Sequence, residues 1–186
     1  MINKSDDDIL EMFRDEATKE EAFGLLLKKY QERLYWQIRK IVISHDDTDD
    51  VLQNTCVKIW KGLANFHSKS QLFTWMYRIA TNEALSFLKE KQRKQFGLGN
   101  GEVEDLLLAS LESDPYFDGD TAQLELQKAI VQLPEKQRLV FNMKYFDEMK
   151  YEEISRILQT SVGALKASYH HAVKKIESFL ISKECS

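Results

Sequence analysis

The stretch YEEISRIL-QTS-VGALKASYHHAVKKIESFL, residues 151–180, decides the fold of the second half of this chain. Apolar side chains recur every three or four positions in its first eight residues and again after Ser161, which predicts two amphipathic helices. The three residues between them predict a short turn, and Ser161 is a favourable N-cap for the second helix. A short helix, a tight turn and a longer helix form the pattern of a helix-turn-helix.

The outer face of the second helix carries side chains that are able to contact DNA. The inward apolar stripe leaves five residues on the opposite side: Lys166, Ala167, His170, His171 and Lys174. Residues 161–183 contain four lysines and one acid, and a positive helix of small, hydrogen-bonding side chains can enter the major groove. A solvated face of an ordinary helical bundle has the same periodicity, so both interpretations stay open at this point. The two adjacent histidines point about 100° apart on a helix and therefore do not predict a metal site.

The composition favours a helical protein of the reduced cytoplasm. The chain has 186 residues, with 26 Lys and Arg, 30 Asp and Glu, and a formal net charge of −4. Two prolines and seven glycines provide little turn chemistry for a β fold. No run approaches the roughly 20 apolar residues of a membrane span, no signal peptide is recognisable, and the two cysteines are too far apart to suggest a disulfide framework. We expect a cytoplasmic location without direct membrane insertion.

Charge divides the chain into three segments. Residues 96–122 contain seven acids, no lysine or arginine, and four of the seven glycines, which is typical of a flexible linker. One short helical turn is expected within it, at 106–109. The sequence thus predicts an all-α fold of two small helical domains, residues 5–95 and 123–182, joined by a flexible acidic linker at 96–122, with the helix-turn-helix in the second domain.

The first domain is predicted to be helical throughout. Apolar spacing of three and four indicates helices over residues 18–43 and 72–92. Between them, the acidic run 46–50 supplies capping groups and a favourable charge for the start of another helix. This run does not fit an EF-hand, because Val51 and Val57 occupy the positions of the loop's glycine and final glutamate.

Motifs in the second half resemble the extracytoplasmic-function (ECF) group of bacterial sigma factors. These are LPEKQR at 133–138, KYEEISRIL at 150–158 and SVGALKAS at 161–168. They are similar to the domain of that group that reads the promoter −35 element. Lys150 departs from the pattern, since Ser or Thr commonly caps the first helix there.

Motifs in the first half are similar to the −10-reading domain of the same group. These are DDVLQNT at 49–55, Ile59-Trp60, Phe66 and FTWMYRIATNEA at 73–84. Each motif alone is moderately specific, whereas the full set in this order, with an acidic linker between the halves, is highly specific. The sequence is therefore identified as similar to ECF sigma factors over both domains.

The resemblance implies roles for named residues. Docking on the β′ clamp helices of RNA polymerase is implied for Asp50, Val51, Gln53 and Asn54. Contact with the −10 element, including capture of a flipped base by a polar loop, is implied for Phe66, His67, Ser68, Lys69, Ser70, Gln71, Arg78 and Asn82. Contact with the −35 element is implied for Lys166, Ala167, Ser168, His170, His171 and Lys174. For Phe73, Trp75 and Tyr77 we expect core packing more than base stacking.

The predicted function is that of an alternative sigma factor, which binds core RNA polymerase and directs promoter recognition and transcription initiation. Expected partners are the β′ clamp helices, the β flap, promoter DNA and an anti-sigma factor, with no cofactor, metal or small-molecule substrate. No P-loop, Ser-His-Asp order or metal-ligand spacing occurs, so no catalytic activity is predicted. The alternatives are a dimeric helix-turn-helix regulator that acts on duplex DNA without being a sigma subunit, a helical scaffold, and a hydrolase built on the acids.

Overall fold

The computed structural model describes residues 4–66, 71–96, 103–114 and 119–184. Within these ranges the regular structure is helical and no strand occurs, so the predicted all-α class is confirmed. The helices are α1 (Asp6–Arg14), α2 (Lys19–Val42), α3 (His45–Leu63), α4 (Leu72–Phe96), α5 (Val103–Glu112), α6 (Thr121–Val131), α7 (Glu135–Phe141), α8 (Tyr151–Leu158) and α9 (Val162–Glu184), and a π-helical turn (Asn142–Phe146) follows α7. None of these helices is both long and apolar enough to cross a membrane.

The chain divides into two compact units. The first unit comprises Met1–Val42 and Asp46–Phe87, and the second comprises Ile43–His45 and Leu88–Ser186. The division falls inside α4, whereas the sequence places the domain boundary after residue 95. The predicted domain limits therefore stay predictions.

The first unit begins with a capped helix that packs through its aromatic end. Ser5 Oγ accepts a hydrogen bond from the Asp8 backbone N–H at 3.1 Å, and Asp8 Oδ2 accepts one from the Ser5 N–H at 3.0 Å. This reciprocal capping box satisfies two backbone donors at the start of α1. At the other end, Phe13 packs edge-on against Trp60 with ring centroids 5.2 Å apart, which joins α1 to α3.

Helices α2 and α4 are joined by an aromatic contact and by a buried amide. The rings of Tyr30 and Phe73 stack with centroids 5.4 Å apart. Further along, Gln37 Nε2 donates to the Tyr77 carbonyl oxygen at 3.1 Å and also to Thr81 Oγ1. Because a buried amide needs partners, these bonds fix the register of α2 against α4.

The second unit is built around α9. Its apolar core includes Ala129, Ile130, Leu133, Phe141, Ala172 and Ile176. Helix α6 is capped by Asp120, whose Oδ1 accepts from the Gln123 N–H at 2.8 Å. The sequence predicts that the helix after Pro134 continues regularly to Phe146, but the structure widens into the π-helical turn after Phe141.

The segment predicted as a flexible linker contains α5, a ten-residue helix instead of the single turn expected. Leu106, Leu107 and Leu111 are buried in the second unit. Beside them Arg138, only 3% exposed, donates to the carbonyl oxygens of Val131 at 2.7 Å and Leu133 at 3.0 Å. Arg138 also faces Glu104 Oε1 of α5 at 3.5 Å, so one guanidinium joins the linker helix to the end of α6.

Candidate nucleic-acid interface

The helix-turn-helix predicted at residues 151–180 is confirmed. Helix α8 ends at Leu158, and the next residue, Gln159, caps it with a left-handed backbone (φ 51°, ψ 44°) at the start of the three-residue turn. Ser161 Oγ then accepts a hydrogen bond from the Ala164 N–H at 3.3 Å, which is the N-cap that the sequence predicts. On either side of the turn, Ile154 of α8 and Leu165 of α9 are fully buried.

Helix α8 begins without a side-chain hydroxyl at its N-cap position. Lys150 occupies the cap position, and an ammonium group offers no acceptor for backbone N–H groups. Glu153 compensates in part, because its Oε2 accepts from the Lys150 N–H at 3.1 Å. Glu152 and Glu153 also place negative charge in the first turn, where it interacts favourably with the helix dipole.

Helix α9 presents one buried and one solvent-facing side. Leu165, Ala172 and Ile176 are buried against the second unit. Five of the six residues predicted for the −35 contact are exposed, and Ser168 is half-buried: Lys166, Ala167, Ser168, His170, His171 and Lys174. We call this surface the α9 outer face. Apart from Ser168, its members recur at helical spacing and share one side of α9, and the face carries two lysines and no acid.

Neighbouring aromatic and basic groups shape the beginning of the α9 outer face. Lys166 Nζ lies 5.8 Å from the centroid of the Tyr151 ring, and Lys144 Nζ lies 5.3 Å from the same ring. Desolvation raises the pKa of the Tyr151 hydroxyl above its ordinary value, with a smaller contribution from Tyr169. Lys144 and Lys166 thus place two cations beside the Tyr151 ring, and these can pair with a phosphate.

The predicted docking face on α3 has three of its four residues at the surface. Asp50, Gln53 and Asn54 are exposed. Val51 is 1% exposed because it belongs to the buried stripe of α3, and its contact with a partner stays a prediction. The sequence prediction omits Val57, which is 50% exposed and lies two turns after Asp50 on the same side. Helical spacing is the sequence signal that distinguishes both positions.

The loop predicted to capture a −10 base lies mostly outside the described residues. This applies to His67, Ser68, Lys69 and Ser70. Phe66, at the beginning of the loop, is 8% exposed and packs on Trp75 with ring centroids 5.2 Å apart. Phe66 is therefore buried in this structure, and its contact with a −10 base stays a prediction.

The remaining −10 residues lie on one side of α4. Asn82 is exposed and Arg78 is half-buried, one helical turn earlier, while Gln71 is exposed just before the helix begins. Tyr77 is buried, in line with the core packing that we expect for it. Phe73 is half-buried beneath the Arg33 guanidinium, whose carbon lies 3.8 Å from the ring centroid, a contact that the sequence did not predict.

Comparisons with known proteins give the same identification for both units. Residues 26–94 match the family model described as Sigma-70 region 2, and residues 123–176 match the one described as Sigma-70, region 4. The RNA polymerase sigma-H factor of Pseudomonas aeruginosa is 28% identical over 175 residues, covering 86% of each chain. The ECF RNA polymerase sigma-E factor of Haemophilus influenzae is 27% identical over 170 residues, covering 84% of this chain and 86% of the relative.

Two solved structures share the fold. One is the sigma factor RpoE of Bartonella quintana in complex with the anti-sigma factor NepR, with a TM-score of 0.67 and 21% identity over 85% of this chain and 96% of that one. The other is CnrH in complex with the cytosolic domain of CnrY, with a TM-score of 0.67 and 22% identity over 96% of this chain and 99% of that one. At this level of identity the likeness concerns the fold.

Proposed function

Because the chain belongs to the sigma-70 family, in the group of ECF sigma factors, we propose that its two exposed helix faces divide the work of promoter recognition. It acts as an alternative sigma factor that directs transcription initiation by core RNA polymerase. The α3 face, consisting of Asp50, Gln53, Asn54 and Val57, docks on the β′ clamp helices. The α9 outer face binds the −35 element.

One observation carries this assignment: a region 2 match and a region 4 match occur in one chain, and each has a polar helix face opposite its buried stripe. A dimeric regulator that used α9 alone would have no need for an exposed acid-and-amide face on α3. The clamp helices are proposed as its partner because a carboxylate and two amides can accept hydrogen bonds and pair with cationic side chains.

Transcription in vitro with purified core polymerase and a library of promoter fragments tests the function directly. The wild-type chain should select a defined set of start sites that core alone does not use. Transcripts that are the same with and without the chain would contradict the proposal. A duplex-binding assay without polymerase separates the rival regulator, which would bind symmetric half-sites as a dimer.

The docking face is tested by a charge reversal. The double variant Asp50→Arg/Gln53→Arg should lose binding to β′ in a pull-down, since unlike charges become like charges at the contact. The matched control is Glu11→Arg/Gln31→Arg, which changes one exposed acid and one exposed amide on α1 and α2. Equal binding by both double variants would remove the docking face from the proposal.

The α9 outer face is tested by salt dependence. Lys166→Ala and Lys174→Ala should each weaken holoenzyme binding to a −35 duplex and lower the slope of log affinity against log salt by about 1. His170→Ala should instead change the preference among −35 sequences, because a histidine at a base edge carries sequence information. A uniform loss for all three variants, with an unchanged slope, would contradict this division of roles.

The −10 contacts are proposed for Gln71, Arg78 and Asn82 of the described residues, together with the loop 67–70. Arg78 suits a phosphate, whereas the amide of Asn82 suits the Watson–Crick edge of an unpaired base. Phe66 holds the start of the loop through Trp75. Asn82→Ala should reduce open-complex formation on a duplex promoter while leaving core binding unchanged.

Membership of the family also suggests how the chain is regulated and where in the cell it acts. We propose that an anti-sigma factor sequesters the chain, with support from the RpoE structure, which was solved with the anti-sigma factor NepR. The chain contributes no catalytic group of its own, since the bond-forming chemistry belongs to the polymerase. Its place of action is the cytoplasm, where polymerase and promoter are found.

A further inference from the structure

Trp36 is the most exposed aromatic side chain among the large hydrophobic residues at the surface of the described chain, and the function described so far gives it no role. Trp36 of α2 is 55% exposed, while Trp60 and Trp75 pack against other rings of the first unit. Its nearest aromatic contact is Tyr35, edge-on, with centroids 5.4 Å apart. The Trp36 ring is therefore a large planar surface that is open to solvent, and burial in the core does not account for a tryptophan at this position.

The surroundings of Trp36 are strongly basic. Residues 28–40 contain five lysines and arginines and one acid, Glu32, a denser positive charge than that of α9. Lys29, Arg33, Trp36 and Lys40 follow one another at intervals of four, three and four, so they form one stripe along α2. Lys29 is paired with Asp6 at 2.7 Å.

This stripe runs beside α4. The Arg33 guanidinium covers the Phe73 ring at 3.8 Å, and Gln37 bonds to Tyr77 and Thr81. On α4, Arg78 directly follows Tyr77, and Asn82 directly follows Thr81. Arg78 is half-buried, whereas Asn82 is exposed. The α2 stripe and the proposed −10 side of α4 thus border one surface of the first unit.

We propose that Arg33, Trp36 and Lys40 form a second platform for the unpaired promoter strand, on which the Trp36 indole stacks against a base. This inference rests on the proposed function and adds α2 to its DNA surface. In duplex DNA the faces of the bases are covered by their neighbours, so an exposed ring finds a base to stack on in a separated strand. The cations supply the charge that the phosphates require.

The experiment uses holoenzyme assembled from core polymerase and the full chain. The probe is a labelled single strand that covers the −10 region of a promoter selected by the library transcription above. Trp36→Ala should weaken its binding by roughly 5- to 150-fold, the usual range for loss of one stacked base, whereas Trp36→Phe keeps most of the affinity. Ile181→Ala, which removes another exposed apolar side chain in the second unit, should leave binding unchanged.

A spectroscopic signature separates stacking from an indirect effect. 5-Hydroxytryptophan incorporated into the chain can be excited selectively in the presence of the tryptophans of core polymerase. Binding of the single strand should quench the fluorescence of this label. The quench should disappear in Trp36→Phe although binding persists. A quench that remains in Trp36→Phe, or wild-type affinity in Trp36→Ala, overturns the inference, as does a loss of core binding in Trp36→Ala. If instead the wild-type holoenzyme forms but selects no promoter, the proposed function itself fails.

Discussion

Replacement of Arg138 by methionine should unfold the second unit much more easily while leaving the first unit intact. Arg138 is 3% exposed and donates to two carbonyl oxygens, at 2.7 and 3.0 Å, where α6 ends. Desolvation lowers the pKa of the guanidinium, and Glu104 at 3.5 Å opposes that shift. Methionine keeps the apolar stem, but it leaves both carbonyl groups without their donor.

The magnitude follows from these contacts. Two hydrogen bonds from a charged donor contribute about 1.5–3 kcal/mol each, and disruption of a buried charged pair costs about 3–5 kcal/mol in total. We therefore expect Arg138→Met to lower the free energy of unfolding by about 3–5 kcal/mol. With an ordinary urea dependence for a unit of this size, the midpoint should fall by about 2 M.

The assay uses two probes on the full chain. Trp36, Trp60 and Trp75 all lie in the first unit, so tryptophan fluorescence follows that unit, whereas far-ultraviolet circular dichroism follows the helices of both. Arg138→Met should lower the urea midpoint of a circular-dichroism transition and leave the midpoint of the fluorescence transition unchanged. Glu104→Gln is the matched control, with an expected loss of about 0.5–1 kcal/mol because Arg138 keeps its carbonyl partners. A loss in Arg138→Met no larger than in the control would refute the reasoning.

Three further substitutions test the first unit by urea unfolding with tryptophan fluorescence. Gly62→Ala places a methyl group 2.9 Å from Trp75 Cζ2 and should lower the free energy of unfolding by about 1–3 kcal/mol. Gly24→Ala, which meets no atom within 4 Å in the second turn of α2, should raise it by about 0.5–1 kcal/mol. Tyr30→Phe should flatten the alkaline loss of stability. Desolvation, followed by the hydrogen bond to Asp6, raises the pKa of the Tyr30 hydroxyl above its ordinary value of 10.0. As the pH rises, the unfolded chain therefore loses the hydroxyl proton before the folded chain does. The contribution of Tyr30 to the free energy of unfolding is thus present below pH 10 and is lost above it. An equally steep decline in Tyr30→Phe would contradict that origin.

The sequence predicts the helices well because their apolar periodicity is strong. The turn at 159–161 and the Ser161 cap depend on local chemistry, and both occur as predicted. The α5 helix was underestimated, because the acids around it suggest a linker while Leu106, Leu107 and Leu111 form a buried side only when the second unit is folded. Local sequence signals thus predict that a helix occurs here, whereas tertiary contacts determine how long it is.

Other features have no local signal at all. Burial of Arg138 requires two carbonyl groups that point inward only after α6 ends beside α7. The π-helical turn at 142–146 has no sequence pattern that distinguishes it from a regular helix. Composition and periodicity describe side chains one at a time and not the hydrogen bonds that form, so neither feature could be predicted from them.

The burial of Val51 affects how mutations on α3 are to be interpreted. A motif treats residues 49–55 as one block, but a helix directs Asp50 to solvent and Val51 into the core. Val51→Ala should therefore cost about 1–3 kcal/mol in unfolding free energy through the cavity that it leaves, with little change in affinity for core polymerase as long as the unit stays folded. Asp50→Arg should do the reverse, because an exposed charge contributes little to stability and acts at the docking contact. Two adjacent residues thus separate folding from binding, and an equal loss of affinity in both would return Val51 to the docking face.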